Sequence, residues 1–418
     1  MSLYISPSAP PDNRDRFDPF SPEYLADPYP MLTDARETAP VFYAADLDHW
    51  VVTRYAEIRS ILRTPSKFSA INAIDPMVAL CPQAARELRD GGYAAVPALV
   101  NLDPPGHAQQ RRLANSAFTP KRIAALEPMI RKMTRRFCDE RLQDGKADII
   151  ADLAWALPAL VLFRILGLPD SDLVRVKEGS RHRAMVMFGR ASEEEQISAA
   201  QQLAAFWRYA ARLIETRIEN PGDDFISALV CACDDNGGSF KLTPRDLTSI
   251  MVQVLFAGHE TTTNLIGNAF LRLLQDRPSW EAICRDPHLI PNAVEEILRF
   301  DSPAIAWRQK TRVAADIGGV VVPADAKLLL LLGAANRDPA VFQEPDRFDI
   351  RRANAHDHLS FGQGPHICLG APLARLETRV VLQEISRRFP SLRLAPNTTL
   401  GFVANITLRG PRSLPVVW

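Results

Sequence analysis

The chain has 418 residues, 47% of them hydrophobic and 23% charged, which is an ordinary globular composition. Its 49 lysines and arginines balance 49 aspartates and glutamates, so net charge argues against nucleic acid or an anionic membrane as a partner. Six scattered cysteines favour reduced thiols in the cytoplasm. The polar N-terminus and the lack of a long apolar run predict neither a signal peptide nor a membrane span.

Short β-prone runs flank a helical middle. Residues 40–43 and 50–53 predict two strands of a small sheet. From about residue 110 to 300 helical periodicity dominates, as in residues 123–137, 153–166 and 202–218.

A long helix is predicted from Thr243, which fits an N-cap followed by Pro244 at the first helical position, to about Gln275. Beyond Pro303, strands are expected at residues 320–322 and 328–332, followed by a final helix over about 371–388. We predict one mostly helical α+β domain spanning residues 1–418, with β-rich contributions from about 38–70 and 303–335.

The strongest motif is the sequence FGQGPHICLG at residues 361–370, directly before the last helix. Glycines 362, 364 and 370 permit tight turns and close approach of a flat ligand to the backbone. A helix N-terminus stabilises the thiolate of a cysteine placed just ahead of it, and thiolates are axial haem ligands. A buried structural cysteine is the alternative, but chance yields the Phe-x-x-Gly-x-x-x-Cys-x-Gly pattern of this loop in roughly one chain per thousand of this length.

A second motif, AGHETT at residues 257–262, lies inside the long helix. A mid-helix glycine costs about 1 kcal/mol relative to alanine, and threonine can bond back to the backbone. An acid and hydroxyls in this arrangement suit a groove that holds a small molecule and carries protons. A solvated polar patch is the alternative, and the apolar flanking residues disfavour it.

Both motifs resemble those of the cytochrome P450 family, soluble bacterial type. The resemblance implies the cytochrome P450 fold, with haem b between the long distal helix and the cysteine loop. Cys368 would be the iron ligand, Phe361 would pack near its sulfur, and His366 would face a haem propionate, while Gly362 and Gly370 shape the loop. Ala257 and Gly258 would line the oxygen pocket, Glu260 would relay protons, and Thr261 would hydrogen-bond oxygen. His259 is assigned no role.

Further matches concern haem anchoring. His107 and Arg111 lie one helical turn apart and would bind propionates. Family members usually carry a propionate-binding arginine shortly before a Gly-Gly turn, which corresponds here to Gly318 and Gly319. Arg308 is favoured for it, provided that the turn carries one extra residue, and Arg312 is the weaker choice. A buried cluster of Glu296, Arg299 and Arg347 is expected to brace the haem loop.

The resemblance implies a monooxygenase that inserts one atom of O₂ into a small, largely apolar organic substrate. Pocket walls are expected from Gln253, Phe256, Ala304, Ile305, Phe402 and Val403. Without a dinucleotide fingerprint or an iron–sulfur cysteine cluster, electrons would come from a separate ferredoxin and ferredoxin reductase, and a monomer is expected. A haem-thiolate binding or sensing protein and a peroxide-driven oxygenase are the alternatives, and the Glu260–Thr261 pair argues against both.

Overall fold

A computed structural model describes residues 17–234 and 242–418. The first 16 residues, part of the N-terminus that argued against a signal peptide, lie outside these ranges. The α-helices are α1 (Pro22–Ala26), α2 (Tyr29–Thr38), α3 (Tyr55–Arg63), α4 (Pro82–Asp90), α5 (Gly106–Ala117), α6 (Pro120–Ala124), α7 (Glu127–Arg141), α8 (Leu157–Leu166), α9 (Leu173–Phe188), α10 (Glu193–Glu219), α11 (Phe225–Asp234), α12 (Pro244–Gln275), α13 (Arg277–Arg285), α14 (Ile290–Phe300), α15 (Leu332–Ala335) and α16 (Ala371–Arg388).

The strands are short and form three small sheets. They are β1 (Val41–Ala44), β2 (His49–Val52), β3 (Phe68–Ser69), β4 (Lys146–Asp148), β5 (Trp307–Thr311), β6 (Ala315–Ile317), β7 (Val320–Val322), β8 (Lys327–Leu330), β9 (Arg393–Leu394) and β10 (Pro415–Val417). The largest sheet has the order β1-β2-β8-β5-β3, so it joins the two β-rich segments predicted from the sequence. Its β2–β8 pair is parallel, with Trp50 opposite Leu328, and its other pairs are antiparallel.

The long helix α12 is the centre of the helical body. It begins with a capping box, because the Thr243 hydroxyl accepts from the Asp246 amide at 3.2 Å and the Asp246 carboxylate accepts from the Thr243 amide at 2.8 Å. The main hydrophobic core surrounds it, with buried side chains from α8, α10, α14 and α16 among others. The predicted bounds of α12 and of α16 are confirmed.

Other boundaries differ from the predictions at prolines and caps. Residues 123–137 are divided between two helices, because α7 restarts with Pro128 in its first turn. Residues 153–166 begin in a π-helical turn at Ile150–Ala154, and α8 starts only at Leu157. Helix α10 starts nine residues before the expected 202, since Ser192 and Glu195 form a capping box. No helix in the described ranges combines the length and apolar character needed to cross a bilayer.

Candidate active site

The cysteine loop wraps against α3 and ends at the start of α16. Gly364 has φ +71°, and a β-carbon there would lie within van der Waals overlap of the Leu62 carbonyl oxygen, so a side chain is excluded. The Cys368 amide donates to the Phe361 carbonyl at 2.9 Å, which closes the loop. The Phe361 ring in turn lies 4.5 Å from the Arg375 guanidinium carbon. The loop is therefore held by its own backbone and by packing rather than by a disulfide.

The Cys368 side chain is accessible although protein atoms surround its sulfur. Burial raises the pKa of its thiol, while the amides of Gly370 and Ala371 and the charge of Arg111 act in the opposite direction. These groups stabilise negative charge on sulfur, as expected for a residue just before a helix N-terminus. A cation bound at the sulfur would complete the ionisation.

An exposed segment interrupts the otherwise buried central part of α12. Ala257 is exposed and Gly258, Glu260 and Thr261 are half-buried, whereas most residues before and after them are buried. The Thr261 hydroxyl donates to the Ala257 carbonyl one turn back at 3.1 Å. This threonine bond matches the loosening that the sequence predicted, and it places a hydroxyl at an open surface of an interior helix.

Gly258 is explained by packing against α8. A β-carbon at this position would lie 2.9 Å from Leu162 Cδ2 and 3.1 Å from its Cδ1. The absent side chain therefore points at a neighbouring helix, whereas Ala257 faces the opening. Of the two residues predicted to line an oxygen pocket, Ala257 has the accessible side chain.

Glu260 is held by two partners, one of which is its neighbour in the motif. Lys177 Nζ on α9 lies 3.0 Å from its Oε1, and His259 Nε2 lies at the same distance. Burial by itself would raise the pKa of Glu260, but His259 and then Lys177 outweigh it and lower that pKa to about 2. Burial also lowers the pKa of His259, so its ring is neutral at neutral pH and Lys177 is the charged partner.

Sequence reasoning missed Lys177 altogether. It is 4% exposed, and its ammonium lies 5.5 Å from the centre of the Trp155 ring. A single lysine in a helical stretch with many charged residues carries no signal for burial, because a partner 83 residues along the chain is visible only in the fold.

The predicted propionate residues His107, Arg111 and His366 come together beside Cys368. The rings of His107 and His366 are 4.0 Å apart, and both nitrogens of His366 are buried without a partner among the described residues. Arg111 donates to the Ile367 carbonyl at 2.6 Å. Burial lowers the pKa of His107 to about 4, with His366 and Arg111 acting in the same direction. The Asp103 carboxylate acts in the opposite direction on the pKa values of His107 and His366. The three side chains of the cluster can all donate hydrogen bonds, which suits a carboxylate ligand.

Arg308 and Arg312 face different surroundings. Arg308 is buried and donates to the carbonyls of Ala73, Asp75 and Met187 at 2.7–3.2 Å, with no contact to the His107 cluster in the described ranges. Arg312 is partly exposed and pairs with Asp103 at 2.5 Å. The propionate assignment of Arg308 stays a prediction, and these contacts turn its guanidinium toward α9.

The predicted buried cluster has the right acid and first arginine but the wrong third member. Glu296 and Arg299 form a bidentate pair at 2.7 and 2.8 Å, and neither is exposed. Arg347 is 64% exposed and pairs with Glu344 on the surface. Arg352, which is buried, reaches Glu296 at 3.2 Å instead, while Arg347 contributes only its carbonyl to both arginines. The prediction failed because a chain reversal at residues 345–352 orients Arg352, not Arg347, inward.

Comparison with known proteins decides the family. The profile described as Cytochrome P450 matches residues 191–399. The chain is 35% identical over 406 residues to 6-deoxyerythronolide B hydroxylase of Saccharopolyspora erythraea, covering 95% of this chain and 97% of that protein. It is 36% identical over 405 residues to mycinamicin IV hydroxylase/epoxidase of Micromonospora griseorubida, covering 94% and 96%. The structure of cytochrome P450 CREJ in complex with (4-ethylphenyl) dihydrogen phosphate superimposes with a TM-score of 0.93 at 38% identity, covering 96% of this chain and 99% of that one.

The chain belongs to the cytochrome P450 family. It has the P450 fold and is a haem-thiolate monooxygenase, which uses O₂ together with electrons that donors supply. The haem b that this family carries fits the residues present. The Cys368 thiol is accessible just before α16, and the N–H of the His366 ring, whose two nitrogens have no partner among the described residues, can donate to a propionate.

A cavity of about 300 Å³ lies beside α12, which contributes Ser249, Val252 and Gln253 to its wall. Of the six residues predicted to line the substrate pocket, only Gln253 lines this cavity. Ile305 is instead packed in the core against Gly333, and its amide donates to the Thr407 carbonyl at 2.7 Å. Ala304 and Phe402 form isolated β-bridges, Val403 bonds to Gly410, and Phe256 is buried beside Phe188.

Gln253 itself has a structural function in this pocket. Its Oε1 accepts from the Val100 amide and its Nε2 donates to Asn101 Oδ1, both at 3.0 Å. With both ends of the amide engaged, it fixes the loop before α5 against α12. The amide of Gln253 is therefore engaged with the protein rather than free for a substrate.

Proposed function

We propose that Cys368 binds the haem iron and that Glu260 and Thr261 deliver protons while a small organic molecule is oxidised. The observation that carries this proposal is the pairing of an accessible thiol at a helix start with the only opened segment in the middle of α12 among the described residues. The bound haem supplies the oxidising chemistry.

The acid and the hydroxyl are suited to move protons in sequence. The ionised Glu260 carboxylate accepts from Lys177 and His259, both of which carry exchangeable protons. Thr261 is the next residue, and its hydroxyl can exchange the Ala257 carbonyl for an oxygen atom of a ligand in the opening. His107, Arg111 and His366 would hold the propionates, and Arg308 is proposed for this only as the remaining candidate.

The test is the absorption spectrum of the dithionite-reduced protein with carbon monoxide, for the wild type and Cys368→His. We expect a strongly red-shifted Soret band in the wild type, because thiolate donates electron density to iron, and its loss in the variant. A wild-type band like that of a histidine-ligated globin would overturn the assignment of Cys368.

Electrons are proposed to come from a ferredoxin and its reductase. Arg112, Lys121 and Arg122 are exposed near the cysteine loop and suit an acidic partner. Arg375 also lies beside the loop, but it pairs with Glu295 at 2.7 Å. Turnover with a ferredoxin system, and its decrease with rising salt, tests this proposal. Efficient turnover with peroxide alone would favour the peroxide-driven alternative.

The substrate is proposed to be a small organic molecule with a largely apolar body. The cavity supports this through Ile71, Ile74, Met187 and Val252 in its wall. The relatives' names give different substrates, such as 6-deoxyerythronolide B and mycinamicin IV, so neither is transferred to this chain.

A further inference from the structure

The cavity beside α12 is apolar in part, but an arginine forms one wall. Its polar lining residues are mostly engaged with the protein: Ser249 accepts from the Val96 amide at 3.0 Å, and Gln253 is bound at both ends. The full lining is Ile71, Ile74, Asp75, Tyr93, Ala95, Val96, Pro97, Asn101, Arg183, Met187, Trp207, Ser249, Val252 and Gln253.

Arg183 on α9 differs from these residues because most of its donors are free. It is 3% exposed, and its only described hydrogen bond runs from Nη1 to the Tyr93 hydroxyl at 3.3 Å. Its Nε is buried without a partner, and within residues 17–234 and 242–418 no carboxylate lies within 4.0 Å of its guanidinium. A buried cation without a counterion is expensive, so a ligand that brings an anion would stabilise it.

A second arginine makes the same region more positive. Arg308 donates to the Met187 carbonyl, one turn after Arg183 on α9, and to the Asp75 carbonyl at 2.7 Å. The carboxylate of Asp75 is the one acidic side chain in the cavity wall, and it raises the pKa of Arg308, although burial outweighs it and lowers that pKa to about 10. Asp75 therefore offsets one of two buried cations.

We propose that this cavity binds substrates carrying an oxyanion, a carboxylate or a phosphate, which Arg183 anchors while the apolar body extends toward Ala257. The proposal deepens the monooxygenase function above and rests on it for the reaction itself. It refines the expectation of a largely apolar substrate to an amphipathic one.

The position of Arg183 fits an anchor rather than a reacting group. Its guanidinium carbon lies 5.9 Å from the Phe256 ring, and Phe256 directly precedes Ala257 at the opening of α12. Thr261 lies five residues beyond Phe256, which is roughly 7–8 Å of helix at 1.5 Å per residue. An aromatic ring or a short alkyl chain would span that length, with its far end near the hydroxyl.

The test measures binding of matched acids and neutral analogues to the ferric protein. The probes are para-ethylbenzoate and para-ethylbenzamide, octanoate and octanamide, and phenyl phosphate and anisole, followed by the haem spin-state shift and by calorimetry. We expect the acid of at least one pair to bind tenfold or more tightly than its neutral partner. Arg183→Met should weaken that acid by roughly 30-fold or more and leave the neutral partner within about twofold.

Two variants control for folding and for general charge effects. Arg183→Lys should retain part of the preference for acids, since a lysine keeps the charge. Arg181→Met removes an exposed cation two residues away, which pairs with Glu178, and should change nothing. Equal or weaker binding of every acid in the wild type, including no binding, would overturn the proposal. So would equal weakening of acids and neutral analogues by Arg183→Met, because it would make Arg183 purely structural.

The calorimetric arm separates this proposal from the proposed function. If acids bind preferentially through Arg183 but the protein oxidises nothing, the anchor assignment stands and the proposed function is refuted. If neutral substrates are oxidised and acids are not preferred, the proposed function stands and the anchor assignment is refuted.

Discussion

Replacing Lys177 by methionine should destabilise the protein by removing the charged partner of Glu260. The two side chains are 3.0 Å apart, with 4% and 22% exposure, so the pair is little screened by solvent. Methionine keeps most of the aliphatic stem and its packing against Trp155. The variant therefore removes mainly the charge and its hydrogen bond.

The magnitude follows from the pKa of Glu260. A carboxyl whose pKa is lowered from 4.5 to about 2 gains roughly 3 kcal/mol in its ionised form. His259 contributes part of this stabilisation. Burial lowers the pKa of Lys177, so its charged form is less stable here than in water. We expect Lys177→Met to reduce the free energy of unfolding by about 2 kcal/mol at neutral pH, somewhat below the 3–5 kcal/mol typical of breaking a fully buried pair.

The effect should depend on pH in a defined direction. The folded-state pKa of Glu260 is lowered, so its stabilisation is present above the unfolded value of 4.5 and is lost as pH falls toward about 2. The difference between wild type and Lys177→Met should therefore shrink as pH falls from about 5 to 3.

Urea unfolding of wild type, Lys177→Met, Glu260→Gln and the double variant at several pH values measures this coupling. Lys177→Arg serves as the control that keeps the charge. A coupling energy below about 0.5 kcal/mol, or a penalty that is the same at both ends of the pH range, would refute the reasoning.

Three further outcomes are expected. Thr261→Ala should leave substrate binding intact and divert electrons to hydrogen peroxide, measured as peroxide formed per reduced donor consumed; unchanged coupling would contradict the proton-delivery assignment. Arg352→Leu should lower the free energy of unfolding by about 3–5 kcal/mol, because Glu296 loses one of its partners, whereas Arg347→Ala should lower it by less than about 0.5 kcal/mol. A larger effect of Arg347→Ala would instead support the predicted cluster with Arg347. Gly258→Ala should lower the free energy of unfolding by about 1 kcal/mol, because crowding against Leu162 exceeds the gain in helix propensity. A stabilised variant would show that the Leu162 side chain can move away at little cost.

The elements that sequence predicted best are those with strong local signals. The Thr243 cap and Pro244 located the start of α12, and the glycines before Cys368 located the loop and the start of α16. These signals act within a few residues of the features that they determine, so a single sequence contains them.

The elements that sequence missed depend on contacts between distant segments. Strands β3, β4, β9 and β10 are two or three residues long, and pairing rather than composition defines them. Lys177 and Arg183 look like surface residues of a charged helix until α9 is laid across α12. Arg347 and Arg352 lie in one loop with similar composition, and only the path of the backbone distinguishes the inward arginine from the outward one.

Helix α9 carries both the partner of Glu260 and the wall of the cavity. Lys177 meets Glu260 and Arg183 meets Phe256, so the two helices cross in antiparallel directions, and six residues, about 9 Å of helix, separate the two contacts. A rigid helix that shifts along its own axis moves at both contacts together. A bulky ligand that shifts α9 in this way near Arg183 would therefore also loosen Lys177 from Glu260, which would link the size of the ligand to the proposed proton supply.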